Sequence, residues 1–309
     1  MRQAQFVTDL EGPLTLNDNA FELTAHFLPD GARFFALISR YDDVLAALVK
    51  RPGYHAGDTL KLIVPFLLAF GVRDRDLLEF SRKSIKPLPG AAAALQRIRA
   101  QMPAWIISTS YEPYVRAVCE TFAFPFENAY CTKISLDAYK LSHTERQELR
   151  ALYSQILQES ISLDEVFWEK IVQMEVGRVL REIQPVGGPE KARALRAVAR
   201  RTQIPLAQTI YVGDSITDVE ALVVVRREGG LAVAFNANSY ALRAAQVGCI
   251  SATASVLAEI AEAFAQGFER TVHISDPQAE WTTQIDDAFI ARSEQMRRRL
   301  RGAEIGSLG

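Results

Sequence analysis

Cysteine is scarce: Cys119, Cys131 and Cys249 cannot all pair, and none lies in a Cys-x-x-Cys spacing. Buried free thiols in a reducing compartment are expected. No apolar run reaches the ~18 residues of a membrane span, and the opening MRQAQFVTDL lacks the long apolar stretch of a signal peptide. A cytoplasmic protein without a membrane partner follows as an expectation. Charge of one sign is also missing, because the formal net charge is -2. No basic field would draw the chain to nucleic acid, and no stripe alternates basic and aromatic residues. The short runs Arg226-Arg227 and Arg297-Arg298-Arg299 are expected on solvated helix faces. Neither an internal repeat nor a low-complexity tract occurs.

The chain does have bulk. Its 309 residues, 49% hydrophobic and 23% charged, suffice for a large buried core in two domains, or in one domain with a substantial insertion. Four short apolar runs read as strands of a parallel sheet: Gln5 to Thr8, Trp105 to Ser108, Thr209 to Gly213 and Leu231 to Phe235. Helical patterns at Gly90 to Arg99, Pro189 to Arg201 and Asp218 to Arg227 lie between them. This alternation predicts an α/β fold with a doubly wound parallel sheet, whose ligands sit beyond the carboxyl ends of the strands.

Two stretches break the alternation. Residues 17–87 show helical periodicity, including Asp58 to Phe70 and Asp74 to Ser84, and predict an inserted helical cap. Residues 142–183 contain HTERQELRALYSQILQ and LDEVFWEKIVQMEVGRVLREI, which predict two long amphipathic helices forming a hairpin or an interaction arm. The core is then 1–16, 88–141 and 184–266. The extension 267–309 holds one expected helix, Glu280 to Arg301, that packs on the cap or on a neighbouring subunit, and ends in a frayed GAEIGSLG. A homo-oligomer or a protein partner would use 142–183 and this C-terminal helix.

Asp9 and Glu11 in FVTDLEGPLT end the first strand on two carboxylates just before a Gly-Pro break. Such a pair is costly to bury unless it does chemistry or binds a cation, although ordinary strand-to-turn junctions share the pattern. Ser108, Thr109 and Ser110 end the second strand and either cap the next helix or offer donors to a phosphoryl oxygen. Lys191, near the start of a helix behind two glycines, is either exposed or placed to neutralise a phosphate and Asp9. Asp214 after Gly213, with Asp218 four residues on, either caps a helix or converges on a hard cation such as Mg²⁺. All four elements fall, in order, at strand ends or the helix starts that follow.

Those segments, DLEGPLT, IISTSY, the lysine of GGPEKARAL and VGDSITD, resemble the four motifs of the haloacid dehalogenase superfamily of phosphatases and phosphotransferases. GGLAVAFNANSYALRAAQVGCI extends the similarity, which covers the sheet core, about half the chain. The chain most resembles the phosphoserine phosphatase-like branch, and is also similar to a prokaryotic lineage labelled energy-converting hydrogenase subunit R. The resemblance implies a Rossmannoid core and an aspartyl-phosphate formed on Asp9. It implies Glu11 as the group that protonates the leaving oxygen and then activates water. Asp9, the Glu11 backbone carbonyl and Asp214 would bind Mg²⁺, supported by Asp218. Ser108, Thr109 and Lys191 would hold the phosphoryl group.

Two departures bear on substrate and outcome. Most members of the superfamily carry Asp where this chain has Glu11, and the extra methylene shifts the carboxyl by ~1.5 Å. Asp-Leu-Glu-Gly also resembles a branch that includes phosphotransferases, so transfer to an alcohol stands beside hydrolysis. Phosphoserine phosphatases use a cap acid and a cap arginine for the amino acid. Here Asp18 could stand near the first, but GDTLKLIVPF offers Lys61 and no arginine. The expected function is therefore a Mg²⁺-dependent phosphatase for a small phosphorylated metabolite. Its rivals are a phosphotransferase and a non-catalytic assembly subunit retaining the fold.

Overall fold

A computed structural model describes residues 3–267 and 274–308. Parts of the expected units 1–16 and 267–309, namely residues 1–2, 268–273 and 309, lie outside the described residues. In chain order the elements begin with β1 (Gln5–Thr8), α1 (Asn19–Phe27), α2 (Gly31–Asp43), α3 (Thr59–Ala69), α4 (Asp74–Ser84) and α5 (Ala91–Arg99). Next come β2 (Ala104–Tyr111), α6 (Glu112–Thr121), β3 (Ala129–Thr132), α7 (His143–Leu157), α8 (Val179–Glu182) and α9 (Pro189–Thr202). The remainder is β4 (Thr209–Gly213), α10 (Val219–Arg227), β5 (Leu231–Phe235), α11 (Ser239–Ala244), β6 (Val247–Ile250), α12 (Ser255–Ala265), β7 (Glu280–Thr282), α13 (Asp287–Arg301) and α14 (Ala303–Gly306).

The strands form one sheet in the order β3-β2-β1-β4-β5-β6-β7, parallel except for β7, which runs antiparallel to β6. Alternate side chains supply the two faces. Phe6, Ile106, Ile210 and Val233 pack under α5, α6 and α12. Val7, Ile107, Tyr211 and Ala232 pack under α9, α10 and α11. Burial on both faces explains why the centres of β1 and β4 and the whole of β5 are apolar. The chain moves outward from β1 to β3, then returns to the other side of β1 at β4. That reversal opens a crevice beyond the carboxyl ends of β1 and β4, where Thr8 pairs with Val212.

The doubly wound α/β class matches the sequence expectation, and so do the bounds of β1, β4 and β5. Other elements differ. β2 runs on to Tyr111, past the expected Ser108. β3, β6 and β7 were not expected from the sequence. Residues 280–301 are not one helix: Glu280–Thr282 adds an edge strand, and the helix begins at Asp287, whose predecessor Asp286 caps it by accepting from the Phe289 N–H. Nor is the stretch 163–183 one long helix. It consists of short turns broken at Met174, where the backbone is extended, before α8. Val166, Phe167, Ile171, Val176 and Val179 are nonetheless all buried, because helical spacing recurs within each turn.

Residues from 17–87 and from 142–183 share one hydrophobic cluster. Tyr153 of α7 lies 4.5 Å from Phe34 of α2 and 5.9 Å from Phe66 of α3, and Phe167 lies 6.2 Å from Phe66, ring centre to ring centre. The apolar face of α7 is thus covered by the cap helices of the same chain. Arg146 and Arg150 of α7 donate to the carbonyls of Leu68 and Ala69 at the end of α3, satisfying acceptors that a helix end leaves open.

Candidate active site

Asp9 follows β1 and Asp214 follows β4, the two strands flanking the switch point. Between them Gly12 has φ +95°, and a Cβ there would run into the Asp214 carboxylate. Glycine therefore serves both the turn and the approach of the second carboxylate. Asp9 Oδ1 accepts from the Leu10 N–H at 2.7 Å, and Oδ2 accepts from the Lys191 ammonium at 2.7 Å. The same ammonium donates to Asp218 Oδ1 at 2.7 Å. Asp218 also receives the Tyr211 hydroxyl at 2.7 Å and the N–H groups of Asp214 and Ser215 at 3.0 and 3.1 Å. It is consequently a brace for Lys191 and for the loop after β4, both of its oxygens being engaged.

Lys191 is fully buried. Burial works against its charge, but Asp218 and Asp9 outweigh burial and raise it above the ordinary lysine value, so it stays an ammonium. Burial pushes the Asp9 carboxyl up to about 8, opposed by Lys191 and aided by Asp218 and Asp214. Glu11 is raised well above the usual carboxylate range, by burial first and then by Asp18, against Arg301 and the Asn19 N–H, which donates to Glu11 Oε1 at 2.6 Å. Asp18 caps α1 by accepting from the Phe21 N–H at 2.9 Å, and burial raises it too.

Ligand oxygens of Asp9, Asp214 and Asp218 lie within 4.8 Å of one another. Five carboxylates, Asp9, Glu11, Asp18, Asp214 and Asp218, gather around three cationic groups, Lys191, Arg297 and Arg301. Hard carboxylate oxygens this close together suit a divalent cation such as Mg²⁺, and a cation beside Asp9 would hold it ionised. Asp9 and Asp214 line the cavity, while Asp218 is bonded to Lys191, Tyr211 and the backbone behind them.

Of the expected phosphoryl ligands, Ser108 is fully buried and accepts from the Ser110 N–H at 3.1 Å. Thr109 and Ser110 line a cavity of about 90 Å³ over Asp9, walled on the cap side by Phe35, Thr59 and Leu60. Thr109 donates to the Val186 carbonyl at 3.0 Å. The cap loop lies directly on the core: Gly57 has φ +95°, and a Cβ there would meet the Thr109 methyl at 2.9 Å. Buried Asp42 shapes this loop by accepting from the Tyr54 hydroxyl, the Gly57 N–H and the Thr59 N–H at 2.6, 2.9 and 3.1 Å. Burial raises its carboxyl to about 7.

Lys61 is not brought to the site. It is outside the cavity wall, with its ammonium 2.7 Å from Asp58 on the same side of the helix and near the Tyr54 ring. Arg297, expected on a solvated helix face, is instead central, and Arg301 joins it. Arg297 is 3% exposed and donates to Asp214 Oδ2, and Arg301 Nη1 donates to the same oxygen at 3.1 Å. Burial pulls the Arg297 guanidinium below its ordinary value, against the attraction of Asp214. The available signal was spacing: Phe289, Ser293, Arg297 and Arg301 recur every fourth residue on one face of α13. Nor is the tail frayed, since Ile305 is buried, Leu308 lines the cavity, and the Leu308 carbonyl accepts from Arg297.

A switch-point crevice carrying these carboxylates and a helical cap inserted after β1 defines a haloacid dehalogenase-type fold, in the form found in phosphoserine phosphatases. A phosphoserine phosphatase in apo form superposes with a TM-score of 0.52 at 13% identity, over 81% of this chain and 92% of that one. A probable phosphoserine phosphatase from Vibrio cholerae gives 0.51 at 14%, over 86% of this chain and 66% of that one. At such identities the likeness is one of fold.

The chain belongs to the family of gene product AF1437 from Archaeoglobus fulgidus: the two are 34% identical over 100% of this chain and 99% of that one, with a TM-score of 0.91. No protein-family model and no curated protein matches this sequence.

Proposed function

We propose that the chain is a Mg²⁺-dependent phosphatase acting on a small cytoplasmic phosphomonoester. The observation that carries this reading is the fully buried Lys191 ammonium bridging Asp9 and Asp218, beside Asp214. A buried ionic cluster of this kind contributes little to stability compared with apolar packing, so a chemical role accounts for it better. The cavity of about 90 Å³, with Phe35, Thr59 and Leu60 of the cap in its wall, favours a small substrate.

In this mechanism an Asp9 carboxylate oxygen attacks phosphorus, and the bond from phosphorus to the leaving oxygen breaks. Glu11, held protonated by burial, gives its proton to that oxygen. The resulting Glu11 carboxylate then takes a proton from water as the water oxygen attacks the aspartyl-phosphate. The Asp9–phosphorus bond breaks, inorganic phosphate leaves, and Glu11 is again protonated. Lys191 neutralises charge on Asp9 and the phosphoryl oxygens throughout, while Ser110 and the backbone at the carboxyl end of β2 orient the group. Mg²⁺ held by Asp9, Asp214 and the Glu11 carbonyl would supply further neutralisation of the phosphoryl oxygens.

Phosphate release from p-nitrophenyl phosphate and a metabolite panel, with and without Mg²⁺, tests the reading. Activity should require the ion and vanish in Asp9→Asn; full activity in that variant would overturn the nucleophile assignment. An added alcohol that becomes phosphorylated would redirect the reading to phosphotransfer.

A further inference from the structure

Asp214 has two suitors. On the reading above it is a ligand for the divalent cation, yet its Oδ2 already accepts from Arg297 and Arg301 of the C-terminal helix. Arg297 Nη1 reaches the Asp214 carbonyl as well, at 3.3 Å, and Nη2 reaches the Leu308 carbonyl at 3.3 Å. Arg301 adds the carbonyls of Leu16 and Asn17, so the guanidinium pair ties α13 and the tail to the turn after β1. Buried polar groups in a purely structural clamp are as a rule fully satisfied. Arg297 departs from that rule: its side chain is 3% exposed, and its buried Nε has no hydrogen-bond partner. The group is held by the charge of Asp214 more than by a complete set of acceptors.

We propose that Arg297 and Arg301 form an internal counter-cation for Asp214 that competes with the divalent ion. This rests on the reading of Asp9 and Asp214 as the cation centre. Two guanidinium groups and a divalent ion repel one another when they share one carboxylate in a dry site, because little solvent screens them. Seating of the tail and loading of the ion therefore oppose each other. The opposition is reciprocal: the factor by which the tail weakens ion binding is the factor by which the ion weakens tail docking. The C-terminal helix then acts as an autoinhibitory element reaching in from outside the set of strand-end groups.

The test uses Mn²⁺ alone, titrated into the full chain and followed by electron paramagnetic resonance, so that no turnover is needed. Arg297→Gln and Arg301→Gln should each bind Mn²⁺ about 10-fold tighter than the unmodified chain. A purely structural role would leave affinity unchanged or weaken it, and either result in folded variants overturns the proposal. Should both variants fail to fold, hydrogen exchange of the unmodified chain decides. Amides of residues 297–308 should exchange faster at saturating Mg²⁺ while β1 and β4 stay protected, and unchanged or slower exchange overturns the competition. Failure of Mn²⁺ to bind any of the proteins overturns the cation centre itself, whereas binding at equal affinity overturns the competition alone.

Discussion

Lys191 and Asp218 form an ion pair in which both side chains are completely buried, with Nζ 2.7 Å from Oδ1. Asp218 does not line the cavity over Asp9, yet it fixes the ammonium that faces Asp9. Asp218→Asn should lower kcat on an established substrate by about 100-fold, through misplacement of Lys191. It should also destabilise the fold by about 3 kcal/mol, since one charge of a buried pair is left uncompensated. Steady-state kinetics and urea unfolding measure the two effects, and unchanged kcat in a folded variant would show that Asp218 has no part in placing Lys191.

Gly12→Ala should be poorly tolerated for reasons that can be separated. The left-handed backbone alone costs about 1–3 kcal/mol for a residue with a side chain. The added methyl also drives into the Asp214 carboxylate, so divalent-ion affinity should fall even where the protein remains folded. Isothermal titration with Mg²⁺ checks this.

Lys61→Met gives a contrasting expectation. Since Lys61 faces Asp58 and not the cavity, kcat/KM should stay within about 3-fold, while loss of a largely buried ion-pair partner lowers stability by about 3 kcal/mol. A large rise in KM with unchanged stability would return Lys61 to substrate binding.

Stability should depend on pH in a definite direction. Asp9 and Asp42 are raised to about 8 and about 7 from an ordinary 3.8, so the folded chain binds more protons than the unfolded chain between those values. The stabilising contribution is complete below about pH 4. It is lost progressively as pH rises towards 8. With the divalent ion chelated, the melting temperature should fall from pH 5 to pH 8 by several degrees, and Asp42→Asn should flatten the lower part of that slope. Calorimetry across this range tests the sign.

Legibility in the sequence followed burial and local context. β1, β4 and β5 could be read to the residue because each has an apolar centre buried on both faces and runs into a small or polar residue that opens the site. β3 and β7 are mostly half-buried, and β6 is broken by Gly248, so none of the three stands out as an apolar run. Asp9, Lys191, Asp214 and Asp218 were legible because each stands at a strand end or a helix start. Arg297 was hidden by its exposed neighbours Arg298 and Arg299, and only fourfold spacing from Phe289 distinguishes it. Lys61 misled because nothing in its spacing tells a lysine held by Asp58 from one held by substrate.

The contact between the turn after β1 and the tail, where Arg301 bonds the Leu16 and Asn17 carbonyls, has a consequence for the order of events during synthesis. A ribosome releases Asp9 first and residues 297–308 nearly 290 residues later, so any sheet that forms during synthesis does so with its carboxylates lacking two of their cationic neighbours. Closing so long a loop is entropically slow compared with local helix formation. Assembly of this corner is therefore expected among the last steps of folding, and a nascent chain would present an open, acidic crevice until α13 arrives.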